Sequence, residues 1–267
     1  MPFGIQFRDV SFGIPARSSS PARLLLDGIS FTIDEDATTA ILGRSGSGKT
    51  TLLRTVNRMV DATSGEVLVA GRNVRDADLI ALRRGIGYVI QETGLFPHFS
   101  IERNVSVVLE AMNRPLAERR QRSRELLAAV GLDPDSFAAR SPNQLSGGQR
   151  QRVGLARALA AEPGILLMDE PFGALDPLTR AEMQDMLRAL LARLHKTVLL
   201  VTHDLDEALY LADRIVLLEQ GRLIANLPPD EFLRSTQPEI VSYIRAFHRG
   251  ERLARGEHQA ANTGGPA

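Results

Sequence analysis

Apolar residues recur along this chain with two periods, and the dominant period changes twice. Residues 5–14, Ile5-Gln6-Phe7-Arg8-Asp9-Val10-Ser11-Phe12-Gly13-Ile14, alternate as a strand does. A Ser/Pro/Arg-rich loop follows, and Leu24–Ile33 reads as a second strand. Thr38–Leu42, Glu66–Ala70 and Ile86–Ile90 complete a strand-dominated first third, with helices predicted over Leu52–Val60 and Asp78–Arg84. From Ser100 to Ala161 the pattern is helical, broken at Pro115, Gly131 and Asp133-Pro134. The last third alternates again. Gly164–Met168, Val198–Val201 and Ile215–Leu218 read as strands, with helices over Pro177–Leu194 and Asp204–Ala212 and a turn at Gly221. In the longer helix Met183, Met186, Leu187, Leu190, Leu191 and Leu194 share one face. Pro229–Leu233 and Pro238–Phe247 read as short helices, and 250–267 lacks apolar periodicity and is expected to be a disordered tail. Strands alternating with helices predict an α/β fold whose mainly parallel sheet is covered on both faces.

Composition changes this picture little. With 267 residues, 43% hydrophobic and 24% charged, the chain suits one large domain or a core with a subsidiary lobe. Lys+Arg and Asp+Glu both number 32, so no net charge draws the chain to nucleic acid or anionic lipid. The absence of cysteine excludes disulfides, zinc-thiolate sites and thiol catalysis, and fits a reducing compartment. The N-terminus lacks the pattern of a signal peptide, and no apolar run approaches the roughly 20 residues needed to cross a bilayer. A soluble chain is expected, with any membrane role exerted through a partner. The basic run Arg119–Arg124 is expected to be a solvated helix face without function.

The candidate chemistry begins at Gly43-Arg44-Ser45-Gly46-Ser47-Gly48-Lys49-Thr50-Thr51, between the apolar Ala40-Ile41-Leu42 and an amphipathic segment. Strand, glycine-rich turn and helix with the spacing G-x-x-x-x-G-K-T form a P-loop. Its backbone N–H groups and helix N-terminus point at a polyphosphate. Lys49 would reach the β- and γ-phosphates, and the Thr50 hydroxyl would ligate Mg²⁺. The buried-type strand Ile165-Leu166-Leu167-Met168 ends in Asp169-Glu170, which places two carboxylates at the sheet's carboxyl edge. Asp169 can hold Mg²⁺, and Glu170 can accept a proton from the water attacking the γ-phosphate. Gln91 ends another strand, where it could contact Mg²⁺ or that water. His203 ends a third, facing a γ-phosphate. Leu145-Ser146-Gly147-Gly148-Gln149 opens a helix with Ser146 as N-cap, a second anion site distant from the first.

In this order the motifs resemble the ATP-binding subunit of an ABC transporter, over roughly Ile5–Leu233. Gly43–Thr51 resembles Walker A, Gln91 the Q-loop, Leu145–Gln149 the LSGGQ signature and Ile165–Glu170 Walker B. Gly173-Ala174-Leu175-Asp176 resembles the D-loop, whose first residue is more often serine, and His203 resembles the switch histidine. The resemblance implies a P-loop NTPase core with an antiparallel β subdomain and an α-helical subdomain inserted at about 92–160, the whole spanning 1–249. It also implies ATP and Mg²⁺ as ligands and a head-to-tail dimer with a second copy. Each ATP would lie between one Walker A and Ser146, Gly147, Gly148 and Gln149 of the other copy.

Family members usually stack adenine on an aromatic residue where this chain has Ile14, with Phe12 nearby. Either Ile14 covers the base by apolar contact or Phe12 substitutes. The turn Asp34-Glu35-Asp36 lacks the glycine often found there. Leu95 and Phe96, just after Gln91, suit a groove that receives a helix from a membrane permease, or else belong to the helical core. The stretch from Leu82 to His98 is similar to the ATPases of importers of glycine betaine, choline and related osmoprotectants. That similarity implies permease subunits, indirectly a substrate-binding protein, a place at the cytoplasmic face of the membrane, and no nucleic-acid partner. Too few residues follow Leu233 for a further regulatory domain, so none is expected. Rival readings are an ABC exporter or a soluble ABC-type ATPase acting on DNA or ribosomes. The short Glu92–Gln144 insertion, without sustained heptads, and the single cassette argue against the second.

Overall fold

The computed structural model describes residues 4–15, 23–91 and 93–254, with the backbone alone for 249–254. The chain opens with β1 (Ile5–Ile14), β2 (Arg23–Ile33) and β3 (Thr38–Leu42), then turns through the glycine-rich loop into α1 (Lys49–Val56). β4 (Ser64–Val69), β5 (Arg72–Asn73), α2 (Leu79–Arg84) and β6 (Ile86–Val89) follow. A helical insertion comes next: α3 (Ile101–Ala111), α4 (Leu116–Ala129), α5 (Pro134–Phe137), a 3₁₀ turn at Pro142–Gln144, and α6 (Gly147–Leu159). The remainder is β7 (Ile165–Asp169), α7 (Pro177–Leu194), β8 (Thr197–Val201), α8 (Leu205–Leu211), β9 (Arg214–Glu219), β10 (Arg222–Leu227), α9 (Pro229–Arg234) and α10 (Pro238–Ala254).

These strands form two sheets. One is four-stranded and antiparallel, in the order β2-β1-β4-β5; the other is six-stranded, in the order β10-β9-β3-β8-β7-β6. In the larger sheet β9, β3, β8, β7 and β6 run parallel, and β10 pairs antiparallel at the edge. The fold is therefore α/β, with the mainly parallel sheet, antiparallel β layer and inserted helices that the motifs imply.

Period-two alternation sorts the central strands between cores. Leu166, Met168, Val198 and Leu200 face α3, α4, α6 and α7, whereas Ile165, Leu167, Leu199 and Val201 face α1 and the antiparallel sheet. A third core joins Ala40, Leu42, Ile215 and Leu217 to Leu205 and Ala208 of α8, Phe232 of α9 and Ile240 of α10. Fully buried on both faces, β3, β7 and β8 read as continuous apolar runs.

Several boundaries differ from expectation for local reasons. α1 begins at Lys49, inside the loop, because Gly48 at φ 101° caps it; it stops at Val56 because Arg58 turns left-handed at φ 53°. β10 was not foreseen, since a register shift between Leu223 and Ala225 breaks its alternation. The two residues of β5 carry no periodic signal at all. α10 continues to Ala254, past the tail boundary expected at 250; residues 255–267 of that expected tail lie outside the described residues.

The basic run of α4 departs from a simple solvated face. Arg119 meets Glu110 of α3 at 2.8 Å, Arg120 meets Glu102 at 3.5 Å, and Arg122 meets Glu162 at 3.2 Å. These pairs fix α4 against its neighbours, each adding at most about 1 kcal/mol.

Candidate active site at the carboxyl edge of the parallel sheet

Parallel pairing decides which residues meet. Ile41 and Asp169 both sit opposite Val201, and Val89 sits opposite Met168, so β3, β6, β7 and β8 all end at one edge. The loop 43–48, Gln91, Glu170 and His203 are what the chain presents there, as expected of ligand sites in parallel sheets.

The loop itself is wound tightly. Ser47 N–H bonds to Arg44 O at 3.1 Å. A Cβ on Gly48 would stand 2.7 Å from Leu25 O and 2.8 Å from Leu26 Cδ2, so both its dihedral and β2 demand glycine. Arg44, Ser45 and Gly46 are exposed, Gly43 and Ser47 are buried, and Thr51 is half-buried at the base of α1. Lys49 folds back under the loop, where Nζ donates to Gly43 O at 2.8 Å and Arg44 O at 3.1 Å. It is 6% exposed; burial lowers its pKa, while the nearby Glu170 and Asp169 oppose that shift.

Thr50 and Asp169 come together: the Thr50 hydroxyl donates to Asp169 Oδ1 at 2.8 Å. Asp169 Oδ2 faces the Tyr88 hydroxyl at 3.4 Å and Arg54 Nη2 at 3.6 Å, and Arg54 Nε donates to Tyr88 Oη at 3.3 Å. Sequence reasoning missed Tyr88 and Arg54. Arg54 was findable, since it stands four residues after Thr50 and so on the same helix face. Tyr88 gave a weaker signal, a phenol within an apolar strand. Burial raises its pKa, against the hydrogen bond from Arg54. A hydroxyl and a carboxylate oxygen this close, with the second carboxylate oxygen held by neighbours, suit Mg²⁺, which takes few protein ligands alongside phosphate and water.

Glu170 occupies left-handed backbone at φ 46°, held there by its N–H bond to Val201 O at 2.9 Å. Strain of this kind persists only where the surroundings enforce it. Two other predicted site residues approach one of its carboxylate oxygens: His203 Nδ1 lies 3.2 Å from Glu170 Oε2, and Gln91 Nε2 donates to it at 3.5 Å. The His203 ring is 63% exposed and so open to a ligand.

The second anion motif lies elsewhere. Ser146 caps α6, its Oγ accepting from Gln149 N–H at 3.2 Å while Gln149 Oε1 accepts from Ser146 N–H at 3.0 Å. Ser146 and Gly147 are exposed, whereas Gly148 is buried, where a Cβ would lie 2.4 Å from Thr179 Cγ2. The Gln149 side chain is thus occupied in the cap. Among the described residues, no hydrogen bond or ion pair links 146–149 to 43–51. Asp176 caps α7, accepting from Thr179 N–H at 3.1 Å, and hydrogen bonds from Thr179 lower its pKa. Phe12 packs partly into the core beneath the antiparallel sheet, while Ile14, at the end of β1, is 42% exposed. Ile14 pairs with Arg23, which lines a cleft of about 410 Å³ with Leu24, Leu25 and the loop residues Arg44–Ser47.

Behind His203 lies a charged cluster. The Thr202 hydroxyl donates to Glu207 Oε2 at 2.5 Å, and Arg180 stands 4.0 Å from Glu207 Oε1. Burial pushes the Glu207 pKa up to about 7, with Asp204 adding to the rise and the Thr202 bond and Arg180 opposing it. The raised pKa means that the folded chain keeps a proton which the unfolded chain releases above the ordinary carboxylate range. The contribution of Glu207 to stability is therefore fullest below about pH 4.5 and declines as the pH rises to about 7, by up to about 3 kcal/mol. Glu207→Gln is expected to abolish this decline. Its melting temperature should match wild type near pH 4.5 and exceed it at pH 8, a difference that thermal scans across that range will measure.

A model of the ABC transporter family matches residues 26–173. The chain belongs to the ABC transporter family. The family match takes in Gly43–Thr51, Gln91, Ser146–Gln149, Asp169 and Glu170; Ile14, Asp176 and His203 fall beyond it. The ABC chain is 49% identical over 200 residues to the glycine betaine/carnitine/choline transport ATP-binding protein OpuCA of Bacillus subtilis, covering 75% of this chain and 52% of that protein. It is 46% identical over 216 residues to the osmoprotectant import ATP-binding protein OsmV of Salmonella typhimurium, covering 81% and 56%. The chain thus spans about half the length of these curated relatives. Among solved structures, the dimeric post-hydrolysis state of the ATP-binding cassette MJ0796, bound to ADP and Pi, superposes with a TM-score of 0.75. It is 34% identical, over 84% of this chain and 98% of that one.

Proposed function

We propose that this chain is the ATP-binding and hydrolysing subunit of an ABC importer, one that energises uptake of an osmoprotectant such as glycine betaine, choline or a related quaternary amine. The observation that carries the hydrolytic part is the meeting of Gln91, Glu170 and His203 about one carboxylate oxygen, at the sheet edge that also presents Lys49, Thr50 and Asp169. In this reading the amides of 43–51 and the Lys49 ammonium bind the polyphosphate. Glu170 takes the proton of the attacking water, Gln91 orients that water, and His203 contacts the γ-phosphate. Thr50 and Asp169, with Gln91, would hold Mg²⁺, which when bound neutralises charge on the phosphates. Ser146, Gly147 and the α6 N-terminus complete the site of a second copy, which explains two anion motifs in one chain. The dimer named for MJ0796 supports this arrangement.

The surface for transport subunits adjoins this site at Gln91. Gln91, Thr93, Leu95, Pro97, Pro142 and Gly147 line a cleft of about 410 Å³, and Phe96 beside it is 41% exposed. We assign this groove to a permease helix and, on the same reading, the chain to the cytoplasmic face of the membrane. No described helix is long and apolar enough to cross a membrane. The names of OpuCA and OsmV support the cargo class. The test is purification with its permease and substrate-binding protein. ATP turnover stimulated by binding protein loaded with glycine betaine supports the reading, and indifference to every quaternary amine overturns the cargo.

The exposed Ile14, rather than the inward Phe12, is assigned to cover adenine. Aromatic stacking on a base adds about 1–3 kcal/mol, so Ile14→Tyr should lower the KM for ATP by about fivefold or more with kcat unchanged. Steady-state kinetics will show it; an unchanged KM removes Ile14 from the base site.

A further inference from the structure

Charged groups join α7 to α8 without a part in the chemistry above. Glu207, in the first turn of α8, is 4% exposed, with Thr202 Oγ1 at 2.5 Å from Oε2. Arg180 of α7 bridges outward from it: Nε stands 4.0 Å from Glu207 Oε1, and Nη1 3.6 Å from Asp204 Oδ2. In the other direction, Arg180 Nη2 donates to the Leu175 carbonyl at 3.2 Å, one residue before Asp176. Asp204 N–H donates to Thr202 Oγ1 at 3.0 Å, which closes the cluster onto the turn that carries His203.

We propose that Arg180 and Glu207 are positioning residues that tie the Leu175–Asp176 turn to the Thr202–His203 turn, and so set the imidazole against Glu170; this rests on the ATPase reading. The argument is mechanical. The turn that leads into α7 and the turn that ends β8 share no strand pairing, yet the Arg180 fork reaches towards both. One end donates to the backbone carbonyl before Asp176, and the other faces, at 4.0 Å, a carboxylate that accepts from the residue before His203. The Arg180 Nε is buried without a hydrogen-bond partner, and the group it faces is Glu207 Oε1. A small approach of α7 to α8 would make that bond and satisfy a donor that packed interiors seldom leave unpaired. Movement of Asp176 is thereby transmitted to His203 through side chains rather than through the sheet. The charged and titratable groups facing Glu207 are Asp204, Arg180 and His203, beside the Thr202 hydroxyl.

Two measurements on Arg180→Met, Glu207→Gln, Arg180→Lys and the double variant test this. In ATP kinetics each single loss should lower kcat about tenfold and leave the KM for ATP within about twofold, because the phosphate loop is untouched. The double variant should be no slower than the slower single one, and Arg180→Lys should recover part of the rate. In nucleotide-free protein, the His203 ring resonances, assigned with His203→Gln, should shift in both single variants and return towards wild type in Arg180→Lys. Unmoved His203 resonances in folded variants overturn the proposal, as do losses that multiply in the double variant. A wild type without ATP turnover would instead overturn the ATPase reading, and the resonances alone would then decide the positioning. Should Arg180→Met fail to fold, Glu207→Gln and Arg180→Lys carry both tests.

Discussion

Glu170→Gln should lower ATP turnover by about 10²- to 10⁴-fold, the usual contribution of a general base, while leaving nucleotide binding intact. The substitution keeps the shape of the side chain, and the backbone that aims it at φ 46° depends on the bond to Val201 O, which is untouched. What it removes is the negative oxygen that Gln91 and His203 address at 3.5 Å and 3.2 Å. An amide at that point cannot take a proton from water, yet Lys49, Thr50 and the loop amides still bind phosphate. The bound state should therefore persist, and with the second anion motif supplied by another copy it should persist as a dimer. Size-exclusion chromatography with ATP will show the variant at twice the monomer mass, and wild type mainly as monomer once turnover has proceeded. Turnover at the wild-type rate by Glu170→Gln would sink the assignment of the base.

How far the sequence disclosed this site depends on the kind of residue concerned. Asp169, Glu170 and His203 follow apolar runs, and an apolar run followed by polar residues is legible because strand burial and strand termination both leave marks in composition. Lys49 was legible through the spacing of the glycine-rich loop before it. The parallel order, with β3 between β8 and β9, is not legible in that way, because pairing is a non-local choice. Only the motif order hinted at it. Residues that act from within elements were silent. Tyr88, Arg180 and Glu207 interrupt otherwise ordinary strand and helix patterns, and an isolated polar residue there usually faces solvent. Glu207 is 4% exposed because α7 brings Arg180 and β8 brings Thr202 to it, contacts that no local period reports. At Ile14 and Phe12 the sequence offered two candidates. The two stand two apart on β1, and what separates them is position: Phe12 packs partly against the core, whereas Ile14 ends the strand and is exposed.

Lys49→Met should separate binding from folding. The lysine is nearly enclosed without nucleotide; its ammonium satisfies the carbonyls of Gly43 and Arg44, and burial disfavours its charge. Methionine fills a similar straight channel without a charge to desolvate, at the expense of two carbonyls left to find other donors. These terms oppose one another, each about 1–3 kcal/mol, so the melting temperature of the nucleotide-free protein should change little. Nucleotide binding has no such compensation. Losing a buried charge-assisted contact to phosphate removes about 2–4 kcal/mol, or about 30- to 1,000-fold in affinity. Saturating ATP at about 100 times its dissociation constant stabilises a protein by about 2.7 kcal/mol, and at the same concentration Lys49→Met should lose from about two-thirds to nearly all of that shift. Thermal scans with and without ATP read both quantities from one sample. If ATP raises the melting temperature of the variant as far as that of wild type, the ammonium under the loop serves the apo fold, and the phosphate must be held by the loop amides and the α1 N-terminus alone.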